Sequence, residues 1–443
     1  MADYRVIADA LAGDIAEGRL RPGERLPPQR RFARQHGIAA STAARVYREL
    51  VRRGLAVGEV GRGTFVRAAA PPDEPALAEP GGARVDLELN FPVLPGQPEL
   101  LARSLRGLLR PDAMASALRA AGAVGTPGSR QAAAALLARA GWAPNPGRLL
   151  FAGNGRQALA AAVAALVPPG ERLGVEPLTY PLVKGVAARL GVTLVPLAMD
   201  EDGLVPDGLA TGPRLRAVYL QPALHNPLGV TMPAGRRADL ADVLRERGLY
   251  AIEDAVYGFL RPDLAPLAAL APDRTLLVDS LSKRLAPGLT LGFLVTPPDL
   301  ARRVASALRS GCWLASRFAL EAAERWIHDG TAAAMEAAKR EDAAARQRIV
   351  ADRLAGEAVR ADPHAYHCWW ELPEPWRAET FVAAAARLGI AVTPAAAFAA
   401  GPARAPAAVR LALASPPRDT LVRALDALAE LARGTPEDAD GLE

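Results

Sequence analysis

The stretch "VDSLSKRLAPGLTLGF", residues 278–293, decides how the rest of the chain is read. The protein has 53 basic residues, yet only Lys184, Lys283 and Lys339 are lysines. A sequence that uses arginine almost everywhere keeps a lysine at 283, three residues after the apolar run "TLLVDS". Such a run reads as a buried strand. A single lysine at a strand end is usually just solvated. Imine chemistry gives a second reading, because it requires a primary amine and arginine cannot supply one.

Similar runs flank this one. "RLLFAG" precedes the helical "GRQALAAAVAALV", and "RLGVEP" precedes "YPLVKGVAARLG"; "VTLVPLAM", "LRAVYLQP" and "LYAIED" are further strand candidates. The rhythm predicts an α/β body with a doubly wound, mostly parallel sheet over 85–345. Beyond residue 345 the pattern changes. "ARQRIVADRLAG", "HCWWELP", "TFVAAAARLG" and "VRLALA" predict a smaller C-terminal α+β subdomain over 346–433, then a polar tail over 434–443.

Sheets of this kind bind ligands beyond the carboxyl ends of their strands. The turn "AGNGRQ" offers the backbone N–H groups of Gly155, Arg156 and Gln157 to an anion. Tyr180 follows a strand, where its ring can stack on a flat ligand. Asn226 lies in the Pro-bounded turn "HNPLG", Asp254 ends a strand three residues before Tyr257, and Ser280 and Ser282 accompany Lys283. Alone, each signal is weak. As a set they match the needs of an aldehyde cofactor with a pyridine ring and a phosphate: an amine (Lys283), a carboxylate for the ring nitrogen (Asp254), polar groups for the phenolic oxygen (Asn226, Tyr257) and an anion nest with Ser280. Asn90 and Phe91 in "LNFP", with "TPAAAFA" further on, are expected to line an effector pocket.

The N-terminal segment has a different character. Residues 1–68 hold 13 arginines against 7 acids, while the whole chain carries only +5. A basic head on a near-neutral body points to an anionic partner for the head. Residues 4–18 read as a helix, "QRRFARQHG" as a short one and "IAASTAARVYRELVRRG" as a longer one with Val46, Leu50 and Val51 at core spacing. "LAVGEVGRGTFV" then reads as a hairpin. Helix, turn, helix and a two-stranded wing over 1–67 is a DNA-reading arrangement. Arg30 and Arg31 on the first helix, Arg45 on the recognition helix, and Arg62 and Thr64 in the wing are the expected DNA contacts. Ser41 or Thr42 is expected to cap and contact at the start of the recognition helix. Residues 68–84, "AAAPPDEPALAEPGGAR", read as a semi-extended linker.

No run of about 18 apolar residues predicts a membrane span. Two cysteines and five histidines in no ligand pattern predict neither a disulfide framework nor a metal site, and fit a reduced cytoplasm.

Residues 1–67 resemble the GntR family of winged helix-turn-helix regulators, through "GRLRPGERLPPQRRFA", "STAARVYRELVRRGL" and "GRGTFV". Residues 86–433 resemble the fold-type I aminotransferases that use pyridoxal 5'-phosphate, through "HNPLGVTMP", "EDAVY" and "SLSKRLAPGLTLGF". The join is that of the MocR subfamily. This resemblance implies that Lys283 forms the cofactor imine, that Asp254 faces the pyridinium and that Asn226 and Tyr257 meet the phenolic oxygen. It places Tyr180 on the ring, Gly155, Arg156 and Ser280 at the phosphate, and Arg410 on a substrate or effector carboxylate. It also implies double-stranded operator DNA and an amine or amino-acid effector as partners, and a head-to-tail homodimer. Three functions stay open: a regulator that senses the cofactor or an amine, a working aminotransferase with a DNA-binding head, and a DNA-binding protein whose body only dimerises. The family usually places arginine where Thr290 stands. Either Arg156 partly replaces that arginine, or the cofactor is held weakly.

Overall fold

The computed structural model describes residues 4–16, 19–21, 23–52, 55–59, 63–66, 83–401 and 405–436. The head consists of α1 (Tyr4–Ala16), β1 (Arg25–Leu26), α2 (Gln29–Gln35), α3 (Ala40–Arg52), β2 (Ala56–Glu59) and β3 (Gly63–Val66). The apolar residues of α3 recur every three or four positions, so Ala43, Val46, Tyr47 and Leu50 form one stripe. That stripe packs on Ala8 and Leu11 of α1 and Phe32 and Ala33 of α2. The Tyr47 hydroxyl donates to the Pro27 carbonyl at 2.6 Å, fixing the turn before α2. Val51 is 43% exposed, contrary to its expected core role, because the buried stripe ends one residue earlier at Leu50. The expected hairpin is present, but β1 pairs antiparallel with β3 and makes the sheet three-stranded, in the order β1-β3-β2. A two-residue strand that far from its partner has no local pattern to reveal it. The guanidinium of Arg377, in the C-terminal part of the body, lies 3.7 Å from the centre of the Phe65 ring on β3.

The body begins with β4 (Val85–Leu87) and then builds β5 (Leu149–Ala152), β6 (Arg172–Val175), β7 (Thr193–Pro196), the small hairpin β8 (Met199–Asp200) and β9 (Gly203–Leu204), β10 (Ala217–Leu220), β11 (Tyr250–Asp254), β12 (Thr275–Ser280) and β13 (Gly292–Val295). The large sheet has seven strands in the order β5-β13-β12-β11-β10-β6-β7. The strands β12, β11, β10, β6 and β7 run parallel. β13 runs antiparallel to both β12 and β5. Side chains alternate across the sheet, as strand geometry requires. Leu150, Ala152 and Leu294 face the helices Gly155–Leu166 and Ala301–Ser310. Phe151 and Phe293 face Pro127–Leu137 and Arg317–His328. Both faces are thus covered, which is why the strands read as continuous apolar runs.

The smaller sheet comprises β14 (Ala358–Ala361), β15 (His367–Glu371), β16 (Ile390–Pro394) and β17 (Ala408–Ala412), in the order β14-β15-β17-β16-β4. β4 therefore belongs to this subdomain, although it lies far upstream of residue 346, and it pairs parallel with β16. The helix Thr331–Arg353 runs across the expected boundary at 345 without a break. Most of the linker expected over 68–84 and most of the tail over 434–443 lie outside the described residues. No helix among the described residues is long and apolar enough to cross a membrane.

Candidate functional site

A cavity of about 730 Å³ opens where the carboxyl ends of β5, β10, β11 and β12 face β16 and β17. Lys283 reaches it from the one-turn helix Leu281–Arg284. Ser280 caps that helix, and its Oγ lies 2.7 Å from Ser282 Oγ. The segment is anchored below by Arg284, buried and paired with Asp279 at 2.6 Å and with Glu336. The Lys283 amine donates to the main-chain carbonyl of Asn90 and sits 4.3 Å from the centre of the Phe91 ring. Desolvation first, and then the positive charges of Arg410, Arg156 and Lys339, bring its pKa down to about 7. A neutral, nucleophilic amine is thus accessible near neutrality.

A second lysine supports the first. Lys339 is 0% exposed. Its Nζ donates to the main-chain carbonyl of Lys283 at 2.9 Å and to that of Leu285. A one-turn helix leaves its last carbonyls without helical partners, and a cation at that end satisfies them. Burial also brings the pKa of Lys339 down to about 7, against the opposing pull of Asp342 and Glu336.

Asp254 lies at the end of β11 on the cavity floor. One carboxylate oxygen accepts from Tyr219 Oη at 2.8 Å and from Gln221 Nε2 at 3.1 Å; the other accepts from the Val256 N–H at 3.1 Å. Burial raises its pKa to about 6, with those hydrogen bonds pulling the other way. Gln221 continues the network, since its Oε1 accepts from the Asn226 N–H at 3.0 Å. Tyr257 accepts from Asn90 Nδ2 at 3.0 Å, and burial pushes its hydroxyl well above the usual tyrosine range. Tyr180 precedes the helix Pro181–Arg189 and lines the cavity, and burial raises the pKa of its hydroxyl against the pull of the Arg156 charge.

The turn after β5 closes the opposite end. A Cβ on Gly155 would stand 2.9 Å from Ser280 Oγ, so glycine allows the two strand ends to touch. Gly155 and Arg156 start a 12-residue helix, where the first N–H groups have no helical acceptor and favour an anion. Gln157 does not join them. Its N–H is taken by Asn154 Oδ1 at 2.9 Å, so the expected contribution of Gln157 to the nest is corrected. An N-cap side chain satisfies the third N–H of the helix, and Asn154 is such a cap.

Arg410 is buried on β17 and lines the cavity. Its Nη2 donates to the Glu88 carbonyl at 2.6 Å and to Thr393 Oγ1 at 3.0 Å. Asn90 Oδ1, Asn226 Oδ1, Thr290 Oγ1 and Arg410 Nε are buried without a hydrogen-bond partner among the described residues. All four residues line this cavity. Buried polar groups are nearly always paired, so this clustering marks a place for a polar ligand. The donors suit a phosphorylated pyridine aldehyde: a carboxylate on the floor, hydrogen-bonding groups at one side, helix N–H groups and hydroxyls at one end, and an amine within the cavity.

Tyr219, Gln221, Lys339 and Glu88 complete the site and escape a reading of the sequence alone. Tyr219 and Gln221 flank the end of an apolar strand, and only tertiary packing aims them at Asp254. Among the described residues no group of three or more His, Cys, Asp or Glu is placed to hold a metal ion.

On the head, Arg30, Arg31 and Arg45 are exposed on α2 and α3, and Thr64 is half-buried on β3. Arg62 lies outside the described residues. The helix α3 starts at Ala40, and the Ala39 carbonyl accepts from the Thr42 and Ala43 N–H groups at 2.9 and 3.0 Å. Ser41 and Thr42 therefore stand inside the first turn, and neither is the cap. Ser41 remains exposed there.

Residues 110–428 match the family model of aminotransferase class I and II. The chain belongs to that family. Residues 3–66 match bacterial regulatory proteins of the gntR family. This class I and II aminotransferase chain with a gntR head shares its organisation with MocR-type regulators. The uncharacterized HTH-type transcriptional regulator YdeF of Bacillus subtilis is 30% identical over 419 residues, covering 93% of this chain and 90% of the relative. The probable rhizopine catabolism regulatory protein MocR of Rhizobium meliloti is 27% identical over 329 residues, covering 67% of this chain and 66% of the relative. Among solved structures, an archaeal alanine:glyoxylate aminotransferase superposes with a TM-score of 0.71 at 22% identity, covering 79% of this chain and 90% of that one. LysN, the α-aminoadipate aminotransferase of Thermus thermophilus, gives 0.71 at 23%, covering 79% and 92%. These two likenesses establish the fold.

Proposed function

We propose that the protein is a DNA-binding transcriptional regulator whose aminotransferase-like body holds pyridoxal phosphate at Lys283 and reads an amine or amino acid there. The observation that carries this is the meeting of Lys283, Asp254 and the incompletely bonded Arg410 in one cavity, on a chain that also bears a basic helix-turn-helix head. When bound, the cofactor supplies an aldehyde that condenses with amines and a ring that withdraws electrons. Asp254 meets the ring nitrogen, Asn226 and Tyr257 meet the phenolic oxygen, and Tyr180 packs on the ring. The N–H groups of Gly155 and Arg156, with Ser280 and Ser282, receive the phosphate. Arg410 takes a carboxylate of the effector, and Asn90 orients Tyr257 and Lys283. Arg156, in the first turn of the helix that forms the anion nest, brings a cation to the cavity, and Thr290 brings a hydroxyl.

A homodimer completes this reading. Val93, Leu109, Leu118 and Val124 are 55%, 72%, 80% and 48% exposed, and such apolar surface suits burial against a second copy. Two heads then meet two half-sites of an operator.

Pyridoxal phosphate added to the purified protein is expected to give a visible absorbance band that Lys283→Ala lacks. A colourless wild type overturns the cofactor reading. Sustained keto-acid production from an amino donor moves the assignment to a working aminotransferase. Absence of any operator footprint removes the regulator.

A further inference from the structure

Glu88 stands one residue beyond β4 and lines the cavity beside Arg410. Its neighbour Leu87 is fully buried in the core of the small subdomain. Alternation along the strand therefore turns Glu88 away from that core, toward the cavity side. Its carbonyl is bound by Arg410, but its carboxylate forms no ion pair or hydrogen bond among the described residues. The other acid of this segment, Asp86, is occupied: its Oδ1 accepts from the N–H groups of Glu88 and Leu89 at 2.8 and 2.9 Å. Arg410 is committed through Nη2 to Glu88 O and Thr393, and its Nε is left for a ligand.

The effector end of the cavity thus presents one cation with a free donor and one carboxylate that feels the charge of Arg410 but forms no direct ion pair or hydrogen bond among the described residues. A ligand with a single carboxylate satisfies only the first. A dicarboxylic amino acid brings a second negative charge toward Glu88, and like charges at close range repel. A ligand that carries a carboxylate, a reactive amine and a second ammonium satisfies the whole set.

We propose that Glu88 is a specificity residue that makes the cavity select an amino acid with a second amino group, such as a basic diamino acid. The proposal rests on the cofactor-linked effector reading above. In it, the carboxylate binds Arg410, one amine faces Lys283 and the second ammonium pairs with Glu88. Burial first, and then the charge of Asp86, raise the Glu88 pKa against the pull of Arg410, so a bound cation relieves an unfavourable site.

The test uses the full chain loaded with pyridoxal phosphate and follows the visible absorbance change during titration. Ornithine and lysine are compared with their uncharged counterparts norvaline and norleucine, and with glutamate. A charge-assisted bond predicts half-saturation by the diamino acids at about 10- to 100-fold lower concentration than by the apolar amino acids. Glu88→Gln is expected to bring the two within about twofold of each other and to improve the response to glutamate. Equal half-saturation in the wild type, or a preference that survives in Glu88→Gln, overturns the proposal. A wild type that never develops the visible band fails the cofactor reading instead, and the two failures are thereby separated.

Discussion

The Nζ of Lys339 donates to the main-chain carbonyl of Lys283 at 2.9 Å, from a position with 0% exposure. Two of the three lysines in the chain are therefore joined, and the buried one holds the segment that carries Lys283 in place. Lys339→Met strands the Lys283 carbonyl, while the Leu285 carbonyl keeps its bond from Gln97 Nε2 at 2.9 Å, and an unpaired buried group costs about 1–3 kcal/mol. The variant is expected to melt at lower temperature. It also loses a positive charge that holds down the pKa of the Lys283 amine, so its cofactor uptake should require higher pH than the wild type's. A lower melting temperature with an unchanged pH profile would reduce Lys339 to a purely structural role.

The pH dependence of the wild type has a definite sign. Only the neutral amine attacks an aldehyde, and the Lys283 pKa is lowered to about 7. Cofactor uptake should rise with pH through that value and level off above it. Below it, each pH unit should slow uptake about tenfold. Stopped-flow absorbance on either side of neutrality measures this. A midpoint near the ordinary lysine value contradicts the desolvated amine.

Phosphate affinity tests the anion end. Thr290→Arg should tighten pyridoxal phosphate binding, and Arg156→Ala should weaken it by about 10- to 150-fold, the range expected when a charge-assisted bond is removed. Equilibrium dialysis gives both constants. If Arg156→Ala binds as well as the wild type, the helix N–H groups and serines carry the phosphate alone.

Tyr219→Phe removes the 2.8 Å hydrogen bond that stabilises ionised Asp254. That bond lowers a pKa already raised to about 6, so its loss should raise the value further. The carboxyl then stays protonated to higher pH, and cofactor affinity near neutrality should fall. Affinity measured across pH locates the shift.

Operator binding tests the head. Arg30→Ala and Arg45→Ala should each weaken binding and lower the salt slope by about one unit for each DNA phosphate that the variant no longer engages. Unchanged slopes would mean that these exposed arginines point away from DNA.

The parallel sheet, the basic head and the residues around Lys283 are legible in the sequence because each leaves a local mark: an apolar run, a charge excess, a polar residue at a strand end. β13 is not, although its first two residues, Gly292 and Phe293, close the opening motif. Four residues carry little pattern, and their antiparallel place between β5 and β12 is set by partners far away. β4 is hidden for the same reason, since its partner β16 lies some 300 residues downstream. Gln157 misleads because the Asn154 cap is a side-chain choice that spacing does not reveal. Lys339 and Glu88 look like surface residues in sequence; their meaning comes from what folds around them.

The segment that tethers the head to the body enters the body at β4. That strand pairs with β16, which pairs with β17, and β17 carries Arg410. Glu88, immediately past β4, closes the loop by accepting from Arg410. The small lobe also supplies Arg377, which rests on Phe65 of the wing. The segment arriving from the head is thus tied into the cavity wall that carries Arg410. In the proposed function, a ligand held by Arg410 acts on the same sheet through which the chain arrives from the head, so the sensing site and the head's attachment share one wall.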